Sequence, residues 1–336
     1  MNRKINKWDA RTIALKIGAI VLAAILLISS GLFFLEIREK KLAENRGSTQ
    51  KLEETLTYKG KNFVLKDNVE TFLVLGLDKF DNEDSGSYNN DKQADFLLLI
   101  VVDNEAKTCR AIHIDRDTMA DVNMLGVAGD KIGTVNKQIA LAHTYGNGRE
   151  VSCRNTANAV SGVLMGVGVD HYASLIMEAV PVLNDLIGGV TVEIMDDFYG
   201  IDDTLIKGET VTLMGDHALN YVRSRKGLDD SSNNNRMHRQ KQYLNAFFDQ
   251  FRAAAEADEF LLTDVALEMV DYIVSDCSVS KLENILKKIS GYSFDGILNI
   301  EGKNKRGEQF MEFYPDKDSV KEIVVSCFYE EANNND

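Results

Sequence analysis

The chain has 336 residues and a formal net charge of −14, with 44% hydrophobic and 27% charged residues. This length and apolar content suit one large globular domain with added segments, and the two prolines argue against a string of loosely linked modules. The acidic balance argues against general nucleic-acid binding, which requires a domain-wide basic face.

The N-terminal region predicts one transmembrane helix. Residues 17–35 form an uncharged apolar run, close to the ~20 residues that span a bilayer. Residues 1–16 carry five basic residues against one acidic residue, so the positive-inside rule places them in the cytoplasm and everything after Leu35 outside. We therefore expect a single-pass type II protein of the cell membrane. A cleaved signal peptide is the alternative, although no clear cleavage site follows the run.

The remainder of the chain divides into three parts. Residues 36–68 predict an extracellular stalk, because their first half is charged and rich in helix-forming residues. Residues 69–330 predict one globular domain, and residues 331–336 predict a frayed polar tail.

Three buried strands open the predicted globular domain. Residues 71–77 and 96–102 are continuous apolar runs, and residues 110–114 form a third strand that leads into Arg116. Continuous apolar strands of this length are usually buried on both faces, which requires helices on either side. The sequence therefore predicts an α/β fold with a mixed β-sheet flanked by helices on both faces.

The later elements are predicted from hydrophobic periodicity and from glycines that interrupt helices and strands. They are a helix over 173–187, a strand over 190–194, a short strand or loop over 207–213, helices beginning near Asp216 and Arg236, strands over 296–300 and 309–314, and a final helix from Asp318.

Charged residues stand where the predicted strands end. Asp78 follows the first strand, Asp95 precedes the second, and Arg116 and Asp117 follow the third. If the first two strands are antiparallel neighbours, the two aspartates meet at one edge of the sheet, where they could hold Mg²⁺. For a single aspartate at a strand end, a turn or cap role is the alternative.

A locally basic segment lies between Tyr221 and Lys241, with six Lys or Arg residues against two Asp. Arginine suits phosphate because its planar fork matches two oxygens at once. The asparagines at 233–235 can cap a helix that starts near Arg236, and the positive end of that helix would add to an anion site. A solvated charge run without a ligand is the alternative. The candidate phosphate-binding arginines are Arg223, Arg225, Arg236 and Arg239.

Several common sites are absent from the sequence. There is no GxSxG, HExxH, Walker A or GxGxxG motif, and the five histidines show no ligand spacing. The cysteines lack CxxC spacing, which argues against a zinc site. They predict small buried apolar residues, with one or two disulfides as the alternative in an exported domain. The four are Cys109, Cys153, Cys277 and Cys327.

These elements together resemble the LytR-CpsA-Psr family of membrane-anchored envelope proteins. The matching motifs are LVLGLD at 73–78, Asp95 before FLLLIVV, IDRDT at 114–118, DKI at 130–132, LIGGV at 186–190, and YVRSR at 221–225 followed by Arg236 to Gln240.

The resemblance implies a catalytic domain that binds a polyprenyl phosphate carrier in a deep apolar pocket. It implies transfer of a glycopolymer, such as wall teichoic acid or capsular polysaccharide, from polyprenyl pyrophosphate to a muramic-acid hydroxyl of peptidoglycan in a Gram-positive-type envelope. Asp78 and Asp95 would hold Mg²⁺. The implied catalytic residues are Arg116, Asp117, Arg223 and Arg225, and the implied phosphate-binding residues are Lys131, Arg223, Arg225, Arg236, Arg239 and Gln240.

Three departures from the family pattern keep other functions open. Gln93 stands where the family commonly has arginine, and residues 81–92 form an insertion. The loop before Arg236 lacks the usual acidic residue, although Asp229 or Asp230 could serve as a base. The alternatives are a non-catalytic polyprenyl-phosphate-binding or regulatory envelope protein, and a lipid pyrophosphatase.

Overall fold

A computed structural model of the chain describes residues 52–78, 92–225, 228 and 233–332. The predicted membrane segment 17–35 lies outside these residues. Within the described ranges, no helix is both long enough and apolar enough to cross a bilayer.

Fifteen strands are found in the described part of the chain. They are β1 (Thr55–Tyr58), β2 (Lys61–Leu65), β3 (Val69–Leu77), β4 (Phe96–Asp103), β5 (Thr108–Ile114), β6 (Met119–Leu125), β7 (Lys131–Gln138), β8 (His171–Ile176), β9 (Val190–Glu193), β10 (Thr210–Leu213), β11 (Ile273–Ser275), β12 (Ser293–Asn299), β13 (Gly302–Arg306), β14 (Met311–Pro315) and β15 (Tyr329–Glu331).

The helices of the same ranges pack around these strands. They are α1 (Glu150–Val163), α2 (Ala179–Leu186), α3 (Asp216–Arg223), α4 (Asn233–Ala257), α5 (Leu261–Glu268), α6 (Val279–Gly291) and α7 (Lys317–Phe328), with 3₁₀ turns at Ile139–Thr144 and Met269–Tyr272.

A six-stranded mixed sheet, in the order β11-β8-β3-β4-β5-β12, forms the centre of the described domain. Strands β3, β4 and β5 are antiparallel neighbours. Strand β8 runs parallel to β3, and β12 runs parallel to β5.

The sheet separates two hydrophobic cores, because successive side chains of a strand point to opposite faces. Leu73 and Leu99 belong to the core that includes α1 and α7. Phe72 and Leu98 belong to the core that includes α2 to α6. The prediction of a mixed sheet with helices on both faces is confirmed.

The predicted helix over 173–187 is wrong in its first half. Residues 171–176 form β8, and the helix α2 begins only at Ala179. Pairing with β3 buries Tyr172 and Ala173, and this tertiary contact overrides a local pattern that fits either element.

The predicted stalk contains part of the globular domain. The β1–β2 hairpin lies within 36–68, and β2 pairs with β15 near the other end of the chain. Leu56 and Phe63 pack against the core of the sheet, which explains why the hairpin folds onto the domain. Strand β15 also takes Glu331 from the predicted tail.

The cysteines form no disulfide. Cys109, Cys153 and Cys327 are buried as small apolar residues, and Cys277 is half-buried.

Candidate active site

Asp78 and Asp95 lie at the same edge of the central sheet. Strands β3 and β4 are antiparallel with Gly76 opposite Phe96, and the backbone N–H of Asp95 donates to the Gly76 carbonyl at 2.8 Å. The first two strands of the domain are therefore antiparallel neighbours, which is the arrangement that brings the two aspartates to one edge of the sheet. Both side chains line one cavity.

This cavity has a volume of about 700 Å³ and a charged mouth. Four arginines and two aspartates line it, which gives a formal charge of +2 in a chain of −14. The polar lining residues are Asp78, Asp95, Arg116, Asn220, Arg223, Ser224, Arg225, Arg236 and Gln240.

The arginines reach the mouth from three places in the fold. Arg116 follows β5, Arg223 and Arg225 stand at the C-terminal end of α3, and Arg236 lies in the first turn of α4. These residues, which are distant in the sequence, line one cavity.

Their positive charges repel one another. Burial lowers the pKa of the Arg236 guanidinium, and the charge of Arg225 lowers it further. Burial also lowers the pKa of Arg116, to which Arg236 and Arg225 contribute, while Asp117 opposes the shift. A cluster of partly buried cations with too few counter-charges is suited to bind an anion.

Partners inside the mouth hold several of these groups. Arg223 pairs with Asp78 at 3.0 Å, and Arg116 pairs with Asp95. Arg236 donates to the Asn233 side chain at 2.6 Å. Among the described residues, neither Arg225 nor Arg236 makes an ion pair with a carboxylate.

Buried donors at the mouth remain available for a ligand. The Nε atoms of Arg116 and Arg236 are buried and make no hydrogen bond within the described residues. A buried donor without an acceptor is costly. A phosphate oxygen would satisfy the Arg236 Nε, whereas the Arg116 Nε faces Asp117 at 3.6 Å.

Gln93 acts on Arg116. Its side-chain oxygen accepts a hydrogen bond from Arg116 Nη2 at 2.5 Å. The glutamine that stands where the family commonly has arginine therefore orients a neighbouring arginine.

The two aspartates fit a magnesium site. Mg²⁺ typically binds one or two carboxylates and completes its octahedron with water and phosphate oxygens. Asp78 and Asp95 provide these carboxylates at the sheet edge beside the arginines.

Arg239 is not at the cavity, contrary to the sequence-based assignment. Its side chain is fully buried, pairs with Asp196 at 3.3 Å and stacks over Phe198 and Tyr221. Its Nη2 donates to the Ser224 carbonyl. The buried ion pair with Asp196 turns Arg239 away from the mouth. Its hydrogen bond to Ser224 instead holds the backbone between Arg223 and Arg225.

Gln240 lines the cavity but has a backbone partner. Its Nε2 donates to the Val222 carbonyl at 3.1 Å. Together with Arg239, it fixes the C-terminal end of α3 and thus the two arginines there.

Asp117 stands behind Arg116 and does not line the cavity. Its carboxylate is 3.6 Å from Arg116 Nε and accepts from Gln138 at 2.8 Å. Burial raises the pKa of Asp117, and the charge of Arg116 opposes this. Its position suits orientation of Arg116 better than contact with a substrate.

Lys131 is also away from the cavity. It is the exposed first residue of β7, where the β6–β7 hairpin pairs it with Leu125. The lining residues of the cavity do not include it.

The candidate bases Asp229 and Asp230 lie outside the described residues. The asparagines at 233–235 belong to α4 itself and do not precede it. Asn233 donates to Asp115 at 2.7 Å, which ties the start of α4 to the end of β5.

Below its mouth, the cavity is apolar. A second cavity of about 200 Å³ lies next to it, and every residue that lines it is apolar. The two cavities share the walls Val74, Phe96, Leu175, Leu183, Leu244 and Phe247. We call the apolar lower part of the first cavity, together with the second cavity, the chamber.

Sequence reasoning missed two parts of this site. Asn220 lines the mouth one helical turn before Arg223, and helical periodicity could have found it. Leu175 and Leu183 line the chamber from β8 and α2, where the strand was assigned as helix.

Similar proteins are named as teichoic acid transferases. The polyisoprenyl-teichoic acid–peptidoglycan teichoic acid transferase TagU of Halalkalibacterium halodurans is 28% identical over 180 residues, which are 54% of this chain and 52% of that protein. TagU of Oceanobacillus iheyensis is 26% identical over 302 residues, 86% of this chain and 83% of that protein. The chain spans about half the length of the first curated relatives it matches.

The fold is shared with solved structures. The crystal structure of B. subtilis TagV superimposes with a TM-score of 0.60 at 24% identity, covering 78% of this chain and 97% of that one. The model of the LytR_cpsA_psr family matches residues 32–325, and the chain therefore belongs to the LytR-CpsA-Psr family.

Proposed function

We propose that this chain is a phosphotransferase that moves a glycopolymer from a polyprenyl pyrophosphate carrier to a muramic-acid hydroxyl of peptidoglycan. The observation that carries the proposal is a mouth of net charge +2 that opens onto an apolar chamber. Such a site suits a ligand that joins an anionic group to a long hydrocarbon chain. The names of the relatives as polyisoprenyl-teichoic acid transferases support the same class of donor.

The chamber would bind the polyprenyl chain. Its lining is apolar throughout, and burial of hydrocarbon is favourable by about 25 cal/mol per Å². The pyrophosphate would then lie at the mouth, among Arg116, Arg225 and Arg236.

The arginines would bind the pyrophosphate and neutralise charge in the reaction. The acceptor hydroxyl attacks the phosphorus attached to the sugar, forming a new P–O bond. The P–O bond to polyprenyl phosphate breaks, and the carrier leaves with the electron pair while the hydroxyl proton is released. Phosphoryl transfer depends chiefly on positioning and electrostatic stabilisation, which fixed guanidiniums provide.

Asp78 and Asp95 would hold Mg²⁺ at this position. Bound there, the ion would neutralise pyrophosphate oxygens. Asp78 now pairs with Arg223, and Asp95 pairs with Arg116. If the two carboxylates held the metal, both guanidiniums would be free to bind the phosphates.

We place the enzyme in the cell envelope, anchored by residues 17–35 with its catalytic domain extracellular. The positive surplus in residues 1–16 and the lipid-linked donor support this orientation.

The test is transfer of a lipid-linked glycan phosphate to peptidoglycan by the full-length protein in detergent, with and without a chelator. Asp78→Asn and Asp95→Asn should each lower transfer by about 10²-fold or more, because a transition-state charge partner is lost. Asp121→Asn, at an exposed position of β6, is the matched control and should retain full activity.

Three outcomes would contradict the proposal in different ways. Transfer that is equally fast with chelator would remove the magnesium assignment. Release of free glycan phosphate without any product on peptidoglycan would indicate a pyrophosphatase. Tight binding of polyprenyl phosphate without turnover would indicate a carrier-binding or regulatory protein.

A further inference from the structure

At the opposite edge of the sheet from β12, three side chains of different chemistry converge. His171 begins β8, and Asp276 and Cys277 follow β11. One ligand atom from each lies within 4.8 Å of the others, as in a metal-binding group. His171 lies more than one hundred positions before Asp276 and Cys277, so no spacing motif reveals the three.

The sheet register brings these residues together. Strands β8 and β11 are antiparallel, with Ser275 opposite Ala173. Continuing this register by two residues places Cys277 opposite His171. The Asp276 carboxylate accepts from the Tyr172 backbone N–H at 3.0 Å, which fixes it between the other two.

The distances suit a tetrahedral metal ion. Asp276 Oδ1 lies 3.7 Å from His171 Nδ1 and 3.7 Å from Cys277 Sγ. Bonds of about 2.0–2.3 Å to a tetrahedral zinc ion place neighbouring ligand atoms about 3.3–3.8 Å apart. Two of the three ligand pairs therefore already have the spacing of a tetrahedral site, and the third pair, His171 and Cys277, lies within 4.8 Å.

The His171 ring has the environment of a metal ligand. Its Nδ1 atom is buried and makes no hydrogen bond within the described residues. Its other nitrogen, Nε2, faces Glu70 at 3.7 Å. A carboxylate behind the distal nitrogen of a ligating histidine is a recurrent feature of zinc sites, because it fixes the ring and raises its basicity.

The charges of the cluster also suit a divalent cation. Lys281 and Lys288 each contact Glu70 at 2.5 Å, so that carboxylate already has counter-charges. Asp276 and a Cys277 thiolate would together carry −2, which a divalent ion neutralises. Imidazole, carboxylate and thiolate in one set favour zinc over magnesium or calcium.

We propose that His171, Asp276 and Cys277 form a second metal site, of the zinc class, with water as a fourth ligand. The site is distinct from the magnesium position at Asp78 and Asp95 and does not depend on the proposed function. A bound ion would link the β11–α6 junction to strand β8 of the sheet. The metal site would therefore stabilise one wall of the chamber, because residues of β11 and α6 line it. These residues are Ile273, Leu282, Ile285 and Ile289.

Zinc binding to the full-length protein tests this site directly. The protein is purified in detergent with a tag free of histidine, kept reduced, and dialysed against zinc with excess Mg²⁺. We expect one zinc per chain and a melting temperature that rises with zinc concentration. Cobalt in place of zinc should give a thiolate-to-metal charge-transfer absorption.

The variants separate a built site from surface binding. His171→Ala, Asp276→Asn and Cys277→Ser should each lower zinc affinity by at least about 100-fold, and Glu70→Gln by about 10- to 100-fold, the effect of losing a supporting partner. Asp276→Asn keeps an acceptor for Tyr172, so its loss of zinc cannot be assigned to a broken hydrogen bond. His238→Ala removes an exposed histidine elsewhere and should bind as the unmodified protein does. Absence of bound zinc at micromolar concentration, or equal affinity in Cys277→Ser and His238→Ala, would overturn the proposal.

Discussion

At the scale of single residues, the arginines of the mouth differ in what compensates them. Arg116 and Arg223 face aspartates, and Arg236 faces an asparagine. Arg225 has no carboxylate partner within the described part of the chain. Arg239 has the opposite environment, since it is fully buried against Asp196. One stretch of sequence thus holds both a cavity-lining and a buried structural arginine.

Replacing Arg225 or Arg239 by alanine should separate these roles. Arg225→Ala should lower transfer by about 10²–10³-fold, the cost of losing a preorganised transition-state donor. Its stability should stay level or rise, because repulsion with Arg236 is relieved. Arg225→Lys should restore only part of the activity, since an ammonium lacks the bidentate fork.

Arg239→Ala should instead lose stability and activity in parallel. Breaking a buried ion pair by removing one partner costs about 3–5 kcal/mol. Urea unfolding and transfer assays on the same two variants check both expectations. Equal stability losses at the two positions would show that Arg225 is also a structural ion-pair partner.

Asp115 should make stability depend on pH. Burial raises its pKa to about 6, and the nearby Asp117 charge contributes in the same direction. With a folded-state pKa above the unfolded value, its contribution to stability is complete below about pH 4 and is lost as the pH rises through 6. At about 1.4 kcal/mol per pKa unit, the ionised group costs about 2–3 kcal/mol at pH 7.

The variant Asp115→Asn isolates this effect. Its gain in unfolding free energy over the unmodified protein should grow between pH 4 and pH 7 and then level off. Denaturant unfolding at a series of pH values measures the difference. A difference that is constant across this range would contradict a raised pKa at Asp115.

At the scale of elements, the sequence predicts those helices and strands whose conformation is determined by the local hydrophobic pattern. Strands β3 and β4 are continuous apolar runs, so their existence and the edge shared by Asp78 and Asp95 were predictable. Strand β8 was not, because its pairing with a strand about 100 positions away decides its conformation. The role of Arg239 was equally hidden, since it depends on which side of α4 meets the end of α3.

The chamber yields a prediction for α2. Leu183 lines both cavities, so Leu183→Trp should fill part of the chamber and weaken binding of a long polyprenyl phosphate about tenfold or more. A short isoprenyl phosphate should lose less, because the charged mouth is unchanged. Binding of both lipids to the variant and to Leu183→Met, a volume-conserving control, checks this. Equal losses for both chain lengths would place the lipid elsewhere.

At the scale of the whole molecule, we predict the orientation in the membrane from charge rather than from fold. The positive surplus of residues 1–16 predicts that residues 36–336 lie outside the membrane. Protease added to intact protoplasts should therefore degrade the globular domain and spare a short N-terminal fragment. A cytoplasmic protein in the same sample should stay intact until detergent is added. Protection of the domain would contradict both the topology and the extracellular transfer reaction.

The two cores on either side of the sheet have a consequence for evolution. The chamber lies wholly on the side of α2 to α6, whereas α1 and α7 pack on the other side. Substitutions that reshape the chamber therefore remove contacts from one core only, and the other continues to support the strands that carry Asp78 and Asp95. The length and width of the chamber can thus vary while the charged mouth stays in place.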